Sequence, residues 1–115
     1  MGDATLRVSL FGESEDFMPP GGWSFAAGQT VQIGRHSEND VVLKSDWVSR
    51  FHLTLFHDGE RWHCASLGTN GTYCDGQPVT HVELESETVL ELGRQGPKLR
   101  FETQAASHGD EFRGR

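Results

Sequence analysis

The residues of this 115-residue chain best equipped for chemistry lie in four polar segments: Gly34-Arg35, Asn39-Asp40, Ser49-Arg50-Phe51-His52 and Thr69-Asn70-Gly71-Thr72. Their types are those that hold an oxyanion. A guanidinium offers a rigid fork of N–H donors that fits phosphate geometry. Ser and Thr hydroxyls add donors at little steric cost, and an Asn amide both donates and accepts, as a neighbouring strand does for an extended peptide. A phosphorylated side chain carries about −1.5 to −2 charges and three strong acceptor oxygens, so this set suits it. Taken singly, each residue has a plainer explanation. Asn-Gly is the commonest hairpin pair, Arg35 could pair with Glu38 or Asp40, and Ser49 could cap its own backbone.

Other chemistries find less support. The sequence holds no nucleophile-base-acid set, no P-loop and no carboxylate pair with a plausible cleft, which disfavours a hydrolase or transferase. His57, His63 and Cys64 lie close together, but a zinc site needs converging ligands, and strand alternation sends His63 and Cys64 to opposite faces. No metal and no cofactor are expected.

The elements that must position these residues read as strands. Leu6, Val8 and Leu10 alternate with polar neighbours, as do Val31 and Ile33, then Phe51, Leu53 and Leu55. Turn-forming clusters recur at 19–22, 26–29, 36–40 and 57–60, and no sustained helical stripe with caps is present. Many short strands at this spacing predict an all-β sandwich or barrel. Leu90, Leu92, Leu99 and Phe101 supply the last two strands; 1–103 form one domain, and the polar run 104–115 is expected to be a flexible tail. The Pro-Gly-rich loop 12–22 has no assigned role.

Two hairpins can be registered. A two-residue turn at Asp58-Gly59 sets Leu55 opposite Trp62, Leu53 opposite Cys64, Thr54 opposite His63 and Phe56 opposite Arg61. A turn at Asp75-Gly76 pairs Cys74 with Gln77 and Thr72 with Val79. The nearby Asn70-Gly71 is then surplus to hairpin geometry, and its role would be to present Thr69 and Asn70 to a ligand.

Bulk properties narrow the partner. Ten basic against seventeen acidic residues give a net charge of −7, which argues against nucleic acid, whose affinity comes mainly from Lys and Arg. No apolar run approaches the ~20 residues of a membrane span. The opening residues MGDATLRVSL lack the basic and apolar regions of a signal peptide. A soluble cytoplasmic protein is expected, with no membrane partner. The two cysteines, Cys64 and Cys74, are expected as reduced thiols, although a bridge between their strands is conceivable.

Three stretches in this order, IGRHSENDVVL (33–43), VSRFHLTL (48–55) and SLGTNGTYCDG (66–76), resemble the forkhead-associated (FHA) family. The resemblance covers nearly the whole chain from Leu6 to Phe101. It departs at Asp75-Gly76, where Asn-Gly is more usual, and at Glu87-Thr88, where Gly-Asp is common. It implies a twisted β-sandwich of two mostly antiparallel sheets, with loops at one end that bind phosphothreonine peptides. Carried over by position, Arg35 resembles the main phosphate-binding arginine, Ser49 a hydroxyl donor with Arg50 beside it, and Thr69 a second phosphate-side contact. Asn70 resembles the residue that hydrogen-bonds the peptide backbone. Trp47 stands where the family reads a residue C-terminal to the phosphothreonine. Gly34, Asn39, His52 and Gly71 resemble structural supports of the site. The implied function is a non-catalytic phosphothreonine-dependent binding module in Ser/Thr kinase signalling. Its partner would be a Thr-phosphorylated protein or peptide, such as a Ser/Thr kinase or its substrate. The alternative is a phosphate-independent interaction scaffold on the same sandwich, using exposed aromatics such as Phe17, Trp47 and Phe56.

Overall fold

The computed structural model describes residues 4–10 and 22–104. The 12–21 part of the Pro-Gly loop, with Phe17, and the 105–115 part of the expected tail lie outside the described residues. Eleven strands and no helix are present among the described residues. They are β1 (Thr5–Leu10), β2 (Trp23–Ala26), β3 (Val31–Gly34), β4 (Val41–Val42), β5 (Leu53–His57), β6 (Trp62–Ser66), β7 (Thr72–Cys74), β8 (Gln77–Val79), β9 (His81–Glu83), β10 (Glu87–Leu92) and β11 (Lys98–Gln104).

They form two sheets, ordered β2-β1-β11-β10-β7-β8 and β4-β3-β5-β6-β9. The registered strand pairs are antiparallel except β3 with β4. Period-two alternation explains why the sheets close on one another. Leu6, Val8, Leu90, Leu92, Leu99 and Phe101 of one sheet, and Val31, Ile33, Leu53, Leu55, Trp62 and Cys64 of the other, are buried in one apolar cluster. Each large side chain so buried stabilises the fold by about 1.5–3 kcal/mol relative to exposure. The fold is an all-β sandwich, one of the two architectures that the strand pattern allowed and the one that the family resemblance implied.

The Asp75-Gly76 hairpin forms with the expected register, Cys74 opposite Gln77 and Thr72 opposite Val79. Both turn residues are left-handed, with φ of 52° and 80°, as this two-residue turn requires. The other hairpin is displaced by two residues from expectation: Leu55 faces Cys64, Leu53 faces Ser66, Phe56 faces His63 and His57 faces Trp62. Its turn centres on Gly59-Glu60, because the Asp58 N–H donates to the Arg61 carbonyl (3.0 Å). Asp58 Oδ1 in turn accepts from the N–H groups of Glu60 (2.8 Å) and Arg61 (2.9 Å). Those N–H groups, first Arg61's and then Glu60's, with His63 after them, hold the Asp58 carboxyl well below its usual range. Phe51 also departs from expectation. It precedes β5 and is exposed, its ring stacked on His36.

His63, beside Phe56 and away from the core, lies 2.6 Å from Asp58 Oδ2 through Nε2 and 3.0 Å from His81 Nε2 through Nδ1. This chain of contacts ties edge strand β9 to β6. Among the described residues no three His, Cys, Asp or Glu side chains are arranged to hold a metal. Cys64 and Cys74 sit in different sheets and are both free thiols, and burial pushes the Cys64 thiol up to about 12.

Candidate functional site

Three connections meet at one end of the sandwich: the segment after β3, the segment between β4 and β5, and the crossover from β6 to β7. The last passes from one sheet to the other, which is why a tight turn is needed there without a hairpin. The Gly71 N–H donates to the Gly68 carbonyl (3.1 Å), making Thr69 and Asn70 the central residues of the turn. Of Asn70 and Gly71, only Gly71 has positive φ, 83°.

His52 holds two of these connections together. It is fully buried. Its Nδ1 accepts the Ser49 N–H (2.9 Å), so the ring hydrogen resides on Nε2 and is donated to the Gly71 carbonyl (3.0 Å). Burial lowers its pKa, with the Gly71 bond opposing. The Gly71 carbonyl also accepts the Gly93 N–H (2.8 Å), so it is bound from both sheets. Two glycines make the close approaches possible. A Cβ on Gly34 would collide with the Arg50 carbonyl, and one on Gly68 would collide with the His52 ring. Asn39 closes the remaining gap: its Nδ2 donates to the carbonyls of His36 (2.8 Å) and Arg50 (2.7 Å).

On this frame stand the residues with free chemistry. The Arg35 backbone N–H bonds the Ser49 carbonyl (2.9 Å), and its Nε bonds the Val48 carbonyl (3.0 Å). Its terminal nitrogens make no hydrogen bond among the described residues, and the side chain is exposed. Asp40, an alternative partner, is engaged elsewhere: its Oδ2 accepts the Gln32 N–H (2.8 Å). Ser49 Oγ accepts the Thr69 N–H (3.0 Å) and lies 3.5 Å from Thr69 Oγ1. Accepting that bond leaves the Ser49 hydroxyl hydrogen available to an incoming oxygen. Asn70 Nδ2 donates to the carbonyls of Trp47 (3.0 Å) and, more weakly, Asp46 (3.4 Å). Its amide oxygen has no partner among the described residues. The guanidinium of Arg35, the hydroxyls of Ser49 and Thr69 and the amide of Asn70 thus stand on adjoining connections at one end of the sandwich, donors of the kind that charge-assisted anion binding uses.

The sequence profile of the FHA domain matches residues 31–93, more than half of the chain and all three connections. The chain belongs to the FHA domain family. This FHA domain is 38% identical over 74 residues to the FHA domain-containing protein FhaB of Mycobacterium tuberculosis, a match covering 63% of this chain and 48% of FhaB. It therefore spans about half the length of that relative. The crystal structure of Mycobacterium tuberculosis Rv1747 FHA-1 superposes with a TM-score of 0.74 at 30% identity, covering 89% of this chain and 98% of that one. A second solved structure, from a structural and functional analysis of phosphothreonine-dependent FHA domain interactions, gives 0.64 at 26% identity, over 92% and 99% of the two chains.

Of the residues singled out by sequence, the FHA domain brings Arg35, Ser49, Thr69, Asn70 and Trp47 into one connected set, with Gly34, Asn39, His52 and Gly71 as its framework. Arg50 joins through its backbone carbonyl, and its side chain is exposed. Trp47 rests on Gly93 and Gly96, where a Cβ would approach the Trp47 Cβ to 2.9 and 2.7 Å. Sequence reasoning passed over Gly68 and the Val48 carbonyl. Gly68 had a signal, as a glycine beside the Asn-Gly turn, whereas a carbonyl acceptor carries no residue signature.

Proposed function

We propose that this FHA domain is a non-catalytic module that binds Thr-phosphorylated peptides, working in the cytoplasm downstream of a Ser/Thr kinase. The observation that carries the reading is the state of Arg35. Its Nε is anchored on the Val48 carbonyl and its terminal nitrogens make no hydrogen bond among the described residues, while the hydroxyl of Ser49, the residue after Val48, faces that of Thr69. Arg35 and Ser49 grip the phosphate, with Thr69 and Arg50 at its edges. Asn70 bonds the peptide backbone through its amide oxygen, and Trp47 contacts a residue C-terminal to the phosphothreonine. The phosphothreonine-dependent interactions of the related structure support this assignment. The partner is a phosphorylated protein such as a Ser/Thr kinase or its substrate.

Affinity for a short peptide on so small a surface is expected near the micromolar range, about −8 kcal/mol. Isothermal titration with matched phosphorylated and unphosphorylated threonine peptides tests the proposal. Equal binding of the two refutes it. The phosphate-independent scaffold draws on exposed aromatics, Trp47 and Phe56 among the described residues. It predicts that Arg35→Ala leaves partner capture unchanged, whereas the phosphate reading predicts its loss.

A further inference from the structure

Among the described residues the exposed large apolar side chains are Trp47, Phe51, Phe56 and Leu67, and all but Phe56 stand in the connections of the candidate site. Phe51 is 41% exposed, yet its ring is held in place. It stacks on the imidazole of His36 with centroids 5.2 Å apart and planes inclined by 24°. His36 is itself fixed at three points. Its N–H donates to the Arg50 carbonyl (3.1 Å), its carbonyl accepts from Asn39 Nδ2 (2.8 Å), and its Nδ1 accepts the Glu38 N–H (3.0 Å). A rigidly supported aromatic face left in water is a preorganised contact, because little ordering remains to be done when a ligand covers it.

Its place relative to the phosphate site follows from the loops. His36 and Phe51 each follow a proposed phosphate-side arginine, one Cα step of about 3.8 Å away. The segment 46–50 is gripped from two sides. Asn70 and Thr69 meet it at Trp47 and Ser49, while the 35–39 segment meets it at Val48, Ser49 and Arg50. A peptide whose C-terminal flank runs over Asn70 and Trp47 therefore carries its N-terminal flank toward Phe51.

We propose that the Phe51–His36 pair is a specificity element that selects phosphopeptides with an aromatic or aliphatic side chain on the N-terminal side of the phosphothreonine. This rests on the phosphothreonine reading above. The test is a panel of single-phosphothreonine peptides, alanine elsewhere, with Phe or Leu placed at successive preceding positions and titrated calorimetrically. At one position the apolar residue is expected to tighten Kd by about tenfold over alanine, in the range of one aromatic contact. Phe51→Ala reduces that gain to less than about twofold while the all-alanine phosphopeptide binds as before, and Phe51→Leu retains part of it. Phosphate-dependent binding with no such gain in the wild type, or a gain that persists in Phe51→Ala, overturns the specificity element alone. Failure of every phosphopeptide to bind more tightly than its unphosphorylated form overturns the phosphate reading and this inference together.

Discussion

Replacing Arg35 separates the contribution of its charge from that of its shape. In the folded domain the side chain makes one hydrogen bond, Nε to the Val48 carbonyl at 3.0 Å, and is otherwise exposed. Removing that bond costs the fold about 0.5–1.5 kcal/mol. The phosphate interaction is larger, since each charge-assisted bond is worth about 1.5–3 kcal/mol. Arg35→Ala removes two such bonds if the fork engages two oxygens, so affinity falls by at least about 3 kcal/mol, or a hundredfold. Arg35→Lys keeps the charge but loses both the fork and the anchor that aims it. It should recover only part of the loss, leaving Kd about tenfold or more above wild type. Calorimetry with a phosphothreonine peptide gives the binding energies, and urea denaturation of the free variants gives the stability terms. The reasoning fails if Lys binds as tightly as Arg, or if the stability loss of Arg35→Ala equals its binding loss.

Three further expectations concern Asn70 and the residues that support the site. Asn70→Asp is nearly isosteric, but puts a carboxylate where an N–H now faces the Trp47 carbonyl, beside the proposed phosphate position. It should bind phosphopeptide more weakly than Asn70→Ala, measured by titration, while both variants stay within about 1 kcal/mol of wild-type stability. Gly68→Ala drives a methyl into the buried His52 ring; denaturation should show a loss of about 1–3 kcal/mol, with phosphopeptide affinity falling as well because His52 fixes Ser49 and Gly71. His52 also imposes a pH dependence. Its folded pKa is lowered by burial from the ordinary 6.5, so the unfolded chain takes up the proton first, and stability is full above about 6.5 and declines as pH falls below it. Imidazole ¹⁵N titration should show His52 as the neutral Nε2–H form at pH 6.5, and a midpoint at or above that value would contradict the assigned bonds.

The sequence by itself determined most of the inward face, because a strand's period of two is written locally in its side chains. Leu53, Leu55, Trp62 and Cys64 were all legible as one face, and all are buried. It also determined the Asp75-Gly76 hairpin, whose φ requirements are met by the turn residues themselves. The spacing of three motifs pointed to the family. It could not determine the β5–β6 register, since a slip of two residues leaves the inward set unchanged and no hydrophobic pattern registers it. The Asp58 carboxylate decided that register by accepting the turn's own N–H groups. The same limit applies to Phe51, whose alternation with Leu53 and Leu55 suggested burial until the β5 start at Leu53 and the His36 ring set it outside. Only the tertiary structure brought Ser49 within 3.0 Å of the Thr69 backbone, twenty residues along the chain. Such a contact depends on two strands in one sheet and a crossover to the other, and closing it is the work of the whole core rather than of either segment.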